Sequence, residues 1–211
     1  HCSLSDSASA CTGAGGTFYE LKNNVMFAGK AWKIIRINAD SSIRLIYNGT
    51  SPTARGTASQ LSATAFNTNY NDAKYIGYVY NTSTSSTIKG IVDSWYSSNL
   101  TSYASSLTDV GFCGDRTGST SGYGAYIRLI TNKTPSYNCA DIANDLYTTS
   151  SNGMGNKKLT YPIGLITADE IAYAGGIFNT TNYTYYLQSG SDYWTMSPSN
   201  FGVGYAYEFY V

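Results

Sequence analysis

Two short apolar segments separated by a polar turn restrict the fold of this chain more than any other feature. Residues 32–37 and 43–47 are rich in β-branched and aromatic side chains, and residues 39–42 between them have the composition of a turn. A third apolar segment, residues 25–28, comes just before them. The sequence therefore predicts a β-meander over residues 24–47, with its second and third strands in the centre of a sheet.

Helical patterns occur in two later parts of the chain. Apolar side chains fall on one helical face over residues 87–107 and predict a long amphipathic helix: Ile88, Ile91, Val92, Trp95, Tyr96 and Leu100. Thr167 and Glu170 have the spacing of a capping box, which predicts a short helix through Tyr173 that is terminated by Gly175 and Gly176. We also expect a short helix near residues 59–66 and short strands at residues 126–130 and 163–166.

The C-terminal segment predicts two further strands, residues 193–196 and 205–211, with a turn at residues 197–200. With no internal repeat and no linker, we interpret residues 19–211 as one α+β domain. We expect it to combine a mixed or antiparallel sheet, one long amphipathic helix and much irregular loop. Residues 1–18 are rich in Ser, Ala and Gly and predict an N-terminal tail or stapled loop. Because the predicted strand at residues 205–211 extends to the last residue given, we expect the domain to be cut before its final strand.

Low charge excludes several classes of partner. Only 12% of the residues are charged, against about 25% in average soluble domains, and 13 bases balance 13 acids. There is no basic stripe for nucleic acid and no polybasic or long apolar segment for a membrane. A surface of hydroxyls and amides is typical of extracellular proteins, and we expect this chain to be extracellular.

The four cysteines predict two disulfide bonds. Their spacing fits no zinc motif, and His1 is the only histidine. We expect Cys2 to pair with Cys11 and Cys113 to pair with Cys139, each bond stapling a loop. Four free thiols in a cytosolic protein are the alternative.

Tyrosine becomes frequent toward the C-terminus. The chain has 21 tyrosines, and residues 182–211 also contain Trp194 and two phenylalanines among Ser, Thr, Asn and Gly. Tyrosine supplies a large rigid contact surface, and Ser, Gly and Asn supply adaptable hydrogen bonds, so this composition favours a binding surface. The same composition also suits plain β-sheet.

No motif predicts an enzyme, a metal site or a cofactor. A serine–histidine mechanism lacks a positioned imidazole, and paired cysteines leave no thiol nucleophile. Residues 69–72 only faintly resemble a calcium loop. Glycoside hydrolysis needs two carboxylates at a fixed separation, and the candidates are Asp115, Asp169, Glu170, Asp192 and Glu208. Helix capping explains Asp169 and Glu170 better, and we expect no catalytic activity.

Several blocks of the chain resemble a known family. They lie at residues 32–38, 42–50, 111–116, 159–176 and 193–198. These blocks are similar to uncharacterised secreted or surface-anchored domains of Gram-positive gut bacteria, which often follow a prepilin-type N-terminal helix. The resemblance covers roughly residues 20–211. The given sequence differs from that family in two respects, because it lacks the prepilin helix and a further C-terminal strand.

The C-terminal part of that family is similar to the C-type-lectin-like fold of formylglycine-generating enzymes and of retroelement-diversified variable proteins. This resemblance implies a C-type-lectin-like domain whose C-terminal region presents an irregular ligand surface. By this analogy Trp194, Asn200, Phe201, Tyr205 and Tyr207 face a ligand. The aromatic character of the same segment adds Tyr193 to the expected ligand-binding residues. The catalytic cysteine pair of the oxidase relatives has no counterpart after Cys139, so that activity is not expected.

Three functions follow from these patterns. The first is a surface-displayed recognition or adhesion module that binds a glycan or a protein through the C-terminal aromatic side chains. The second is a structural subunit of a pilus-like filament or surface assembly, in which copies of the chain complete one another by strand addition. The third is a carboxylate-based glycosidase, which needs two acids facing each other across a groove.

Overall fold

Small antiparallel sheets and a few helices make up the regular structure, which confirms the predicted α+β class. The structure is a computed structural model that describes residues 23–80, 83–119, 122–178, 185–202 and 205–211. The strands in chain order are β1 (Asn24–Phe27), β2 (Lys30–Ile37), β3 (Ile43–Tyr47), β4 (Val79–Tyr80), β5 (Thr84–Ser85), β6 (Phe112–Cys113), β7 (Gly118–Ser119), β8 (Gly122–Tyr123), β9 (Leu146–Tyr147), β10 (Trp194–Gly202) and β11 (Tyr205–Tyr210). The helices are α1 (Thr87–Asn99), α2 (Gly124–Tyr126), α3 (Ile142–Asp145) and α4 (Ala168–Tyr173).

Contacts along the chain group its residues into two units, each built from two segments. The first unit comprises the described parts of His1–Gln60 and Ile171–Asp192, and the second those of Leu61–Glu170 and Tyr193–Val211. The interpretation of residues 19–211 as one domain stays a prediction. The predicted tail at residues 1–18 lies outside the described residues.

The predicted β-meander forms the sheet of the first unit. β2 pairs with β1 on one side and with β3 on the other, both antiparallel. Thus only β2 is central, and the expectation of a central β3 was wrong for the described strands. Trp32 on β2 is buried, and its indole N–H donates to the Phe27 carbonyl at 2.9 Å. Ala28 and Gly29 join β1 to β2 with φ of 53° and 68°, the left-handed pair that tight hairpin turns require.

The amphipathic helix predicted from residue 87 is present but shorter than expected. The Ser86 side chain caps α1 by accepting a hydrogen bond from the Lys89 N–H, and Ile88, Val92 and Tyr96 are buried along one face. α1 ends at Asn99, and a 3-10 segment, Thr101–Ser106, follows it. At this end of α1, side chains donate hydrogen bonds to backbone carbonyls of the last turn. The Asn99 side-chain amide, for example, donates to the Trp95 carbonyl at 2.8 Å.

Three shorter predictions were wrong. Residues 126–130 form no strand, because α2 continues through them as a π-helix, Ile127–Asn132, which lets Arg128 reach two buried carboxylates. Residues 59–66 form no α-helix, since a 3-10 turn at Gly56–Ser59 is followed by irregular chain. Residues 163–166 lie outside any assigned strand, although the Ile166 carbonyl accepts from the Met196 N–H at 2.7 Å.

The capping box at α4 is confirmed atom by atom. The Glu170 N–H donates to Thr167 Oγ1 at 3.1 Å, and the Thr167 N–H donates to Glu170 Oε2 at 2.9 Å. The predicted glycine end is also confirmed, because Gly175 has φ of 100° and the Gly176 N–H donates to the Ile171 carbonyl.

An apolar core fills the second unit. Its buried members come from six separate parts of the chain: Phe66, Tyr78, Val79, Ile88, Tyr147, Leu159 and Met196. The Tyr147 hydroxyl lies within hydrogen-bonding distance of both the Val79 N–H and the Val79 carbonyl, at 3.4 and 3.2 Å. This pairing satisfies the one polar group that Tyr147 brings into the core. Met196 extends the core to β10, which belongs to the predicted ligand-binding segment.

Candidate functional site

The C-terminal segment forms an antiparallel hairpin of β10 and β11 in the second unit. Tyr193 and Val211 exchange two backbone hydrogen bonds of 2.9 and 3.0 Å beyond the strand ends. β10 continues through residues 197–200, which the sequence assigned to a turn, and the prediction of a turn there was wrong. The register shifts on both sides of Pro198 explain the difference, because a bulged strand tolerates a proline that a regular ladder excludes.

One side of the hairpin is part of the core. Thr195, Met196 and Ser197 on β10 are fully buried. The Thr195 hydroxyl donates to the Phe209 carbonyl at 2.9 Å, and the Ser197 hydroxyl accepts from the Ala168 N–H at 3.0 Å. β10 is therefore fixed by burial and by hydrogen bonds, which gives the hairpin a rigid base.

β11 presents tyrosine side chains to solvent. Tyr207 is 48% exposed and Tyr210 is 63% exposed. Asn200, which is partly exposed, lies opposite Tyr207 in the ladder. Tyr193 is partly buried. Tyr210 was absent from the predicted site residues, although its place in the tyrosine-rich segment was the signal that could have added it.

Trp194 serves as an anchor for the hairpin. Its ring lies edge-on to Phe66 and to Tyr210, with centroid separations of 5.9 and 5.8 Å, and it packs against the core. Its indole N–H donates to the Thr64 carbonyl at 2.9 Å. Both the apolar body and the polar atom of Trp194 thus have partners within the protein.

Two of the predicted ligand-binding residues are described only by their backbone. Phe201 pairs with Ala206, and Tyr205 pairs with Gly202, near the closed end of the hairpin. Their side chains lie outside the described structure. The assignment of all six residues to a ligand site therefore stays a prediction.

An ionic triad with two buried carboxylates lies in the same unit as the hairpin. The Arg128 guanidinium donates to Asp115 Oδ2 at 2.5 Å and to both Asp169 oxygens at 3.0 and 2.6 Å. Asp115 and Asp169 are buried, and Asp169 also accepts from the Ser136 N–H at 2.8 Å. Burial alone would lower the pKa of Arg128, but its hydrogen bonds to Asp169 and Asp115 outweigh burial and raise it.

A second charged group surrounds Arg116. Its guanidinium lies 3.6 Å from the buried Asp145 carboxylate and donates to the Val79 carbonyl at 3.2 Å. Burial raises the pKa of Asp145, although the nearby positive charge of Arg116 opposes this shift. Gly77 packs against the same arginine: it has φ of 99°, and a Cβ there would lie 2.6 Å from Arg116 Cδ.

Glu208 lies on β11 between the exposed tyrosines and turns inward. Its Oε1 accepts from the Gly77 N–H at 2.9 Å, while its Oε2 is buried without a hydrogen-bond partner among the described residues. Burial raises the pKa of the Glu208 carboxyl to about 8, against the effects of the Gly77 N–H and of Arg116.

The acids considered for glycoside hydrolysis lie in separate settings. Asp115 and Asp169 share Arg128, and Glu170 caps α4. Asp192 is exposed in the first unit, and Glu208 accepts a hydrogen bond from the Gly77 N–H. Among the described residues, no three His, Cys, Asp or Glu side chains are grouped so that they could hold a metal ion.

The predicted disulfide between Cys113 and Cys139 is confirmed, with the two Cα atoms 5.5 Å apart. It ties β6 to the segment that precedes α3. The predicted pair of Cys2 and Cys11 lies outside the described residues.

Removing this disulfide gives a testable loss of stability. Replacing both Cys113 and Cys139 with serine lowers the free energy of unfolding by about 3 kcal/mol, because the unfolded chain regains the entropy of a closed loop. Urea unfolding of the variant and of the oxidised parent measures the difference. An unchanged midpoint in urea would contradict the loop-closure argument.

Comparisons with protein-family models, with curated proteins and with solved structures found no match to this chain. Within the described ranges, no helix has both the length and the apolar character that crossing a bilayer requires.

Proposed function

We propose that this chain is an extracellular, surface-displayed recognition module that binds a glycan or a protein through the hairpin β10–β11. One observation carries the proposal: Tyr207 and Tyr210 are solvent-exposed on a strand whose partner, β10, is buried in the core. Rigid aromatic side chains on a fixed base lose little entropy on binding, and this is how recognition surfaces obtain affinity.

The charge distribution supports a ligand that is recognised without ion pairs. Between Trp194 and Tyr210 the only acidic or basic side chain is Glu208, and its carboxylate faces inward. A 3-10 turn, Ala73–Tyr75, packs against β11, and its Lys74 is paired with Asp72 at 3.5 Å. In this proposal the hydroxyl, amide and aromatic groups of the hairpin therefore supply the contacts.

The finer aspects of the proposal have separate support. The Cys113–Cys139 disulfide supports an extracellular location, because such bonds persist in oxidising compartments. The C-type-lectin-like arrangement is supported by the sequence blocks that resemble a family whose C-terminal part is similar to that fold. Asp115 and Asp169 are paired with Arg128, and Glu170 caps α4. These structural roles support a binding function rather than hydrolysis.

The binding test compares two tyrosine variants with a matched control. Screening the isolated domain on a glycan array and in a surface-protein pull-down should identify a ligand. Tyr207→Ala and Tyr210→Ala should then each weaken binding by about 10-fold or more, the usual effect of losing a central aromatic contact. Tyr137→Ala, at a tyrosine of similar exposure (45%), should leave the affinity unchanged.

Two results would refute this function. One is a ligand whose affinity survives both hairpin substitutions, since the binding surface would then lie elsewhere. The other is the absence of any ligand for a correctly folded domain in both screens.

A further inference from the structure

We propose that Glu208 is a proton-dependent latch, which holds β11 in place while its buried carboxyl is neutral and loosens the strand when that carboxyl ionises. The latch joins β11 to the segment that contains Gly77, in the interior of the second unit. It acts on the strand that also carries Tyr207 and Tyr210. The proposal concerns the strand itself and does not depend on the identity of a ligand.

The geometry leaves a charged carboxylate poorly compensated. Glu208 receives one hydrogen bond, from the Gly77 N–H, and Oε2 is buried without a partner among the described residues. A buried carboxylate needs several hydrogen bonds or a close cation to offset the loss of its hydration. The single hydrogen bond from the Gly77 N–H offsets only part of the lost hydration.

The cation that acts on Glu208, Arg116, also contacts other groups. Arg116 influences Glu208 electrostatically, but its hydrogen bond goes to the Val79 carbonyl and its ion pair to Asp145. Asp145 therefore competes with Glu208 for the same positive charge.

The other ionisable groups around Glu208 do not favour its charged form. The hydroxyls of Tyr123 and Tyr147 interact with Glu208, and its negative charge opposes their ionisation in turn. β10, the partner strand, carries no acidic or basic side chain. On the 3-10 turn packed against β11, Lys74 is exposed and paired with Asp72.

The direction of the pH effect follows from the two pKa values of Glu208. Burial raises the pKa from the ordinary value of 4.5 to about 8 in the folded protein. Between these values the folded protein holds a proton that the unfolded chain has lost, so rising pH favours unfolding. This contribution to stability is complete below pH 4.5, declines up to about pH 8 and is absent above it.

The latch is tested by comparing the parent with Glu208→Gln. Glutamine keeps an oxygen acceptor for the Gly77 N–H but cannot ionise. As pH rises from 5 to 8, the folding constant of the parent should fall by up to about tenfold per pH unit relative to that of the variant. Hydrogen-exchange protection factors of the β11 amides report the same change at the strand.

Asp192→Asn is the matched control, because it also removes one acid, and Asp192 is exposed. It should keep the pH profile of the parent. Identical pH profiles for the parent and Glu208→Gln would overturn the latch.

A direct titration covers the case in which Glu208→Gln fails to fold. The carbon-13 shift of the Glu208 carboxyl in the parent protein, followed by NMR, should change with a midpoint near pH 8. A midpoint below pH 6 would overturn the latch. Neither measurement requires a ligand, so failure of the latch and failure of the proposed binding function give separate results.

Discussion

Replacing Arg128 with methionine should lower the free energy of unfolding by about 3–5 kcal/mol, because it leaves two buried carboxylates without a cation. Asp115 and Asp169 are each almost completely removed from solvent, and Arg128 contacts both at 2.6 Å or less. Methionine has a similar length and fills much of the same space, so lost packing adds little. Chemical unfolding followed by circular dichroism measures the loss.

The control for this prediction separates a lost ion pair from a lost charge. Lys133→Met removes one positive charge from an exposed position in the same unit and should change stability by less than about 0.5 kcal/mol. The triple variant with Arg128→Met, Asp115→Asn and Asp169→Asn should recover part of the loss, because the buried groups are then neutral. A fully stable Arg128→Met variant would contradict the role of the triad.

The sequence predicted those elements whose signals are local. The β-meander, the start of α1 and the capping box of α4 each depend on residues within a few positions of one another, such as Thr167 and Glu170. The Cys113–Cys139 bond was also predictable, because only four cysteines exist and they fall into two separate pairs. These features need no knowledge of distant contacts.

The features that the sequence missed depend on distant partners. Residues 126–130 have the composition of a strand, yet they are helical where Arg128 meets Asp115 and Asp169, which lie 13 and 41 positions away. Residues 197–200 read as a turn, yet they continue β10 because the bulges beside Pro198 keep it paired with β11. Tertiary contacts outweigh local preference in both places.

The candidate binding surface was likewise predictable only in part from local sequence. Composition indicated an aromatic binding segment but could not separate exposed rings from packed ones, since that depends on strand register. The structure exposes Tyr207 and Tyr210 and packs Trp194 against Phe66. The carboxyl of Glu208 could be located only through its bond to Gly77, 131 positions away.

Trp194 offers the sharpest test of which hairpin residues bind a ligand and which support the hairpin. Replacing Trp194 with alanine should lower the free energy of unfolding by about 3 kcal/mol, because it removes a ring packed against the core and leaves a cavity. Urea unfolding measures this loss, and Tyr137→Ala, at an exposed tyrosine, should stay within about 0.5 kcal/mol of the parent.

The variant Trp194→Phe shows whether Trp194 supports the hairpin or contacts the ligand. Trp194→Phe keeps an aromatic ring beside Phe66 and Tyr210 but leaves the Thr64 carbonyl without its indole donor, which should cost about 1 kcal/mol. If Trp194 is a support, the folded Trp194→Phe protein binds the ligand found in the screen as tightly as the parent does, while Tyr207→Ala does not. If Trp194 contacts the ligand, the folded Trp194→Phe protein binds it more weakly than the parent does. That second result would return Trp194 to the binding surface, and it would place the contact with the ligand at the base of the hairpin rather than along β11.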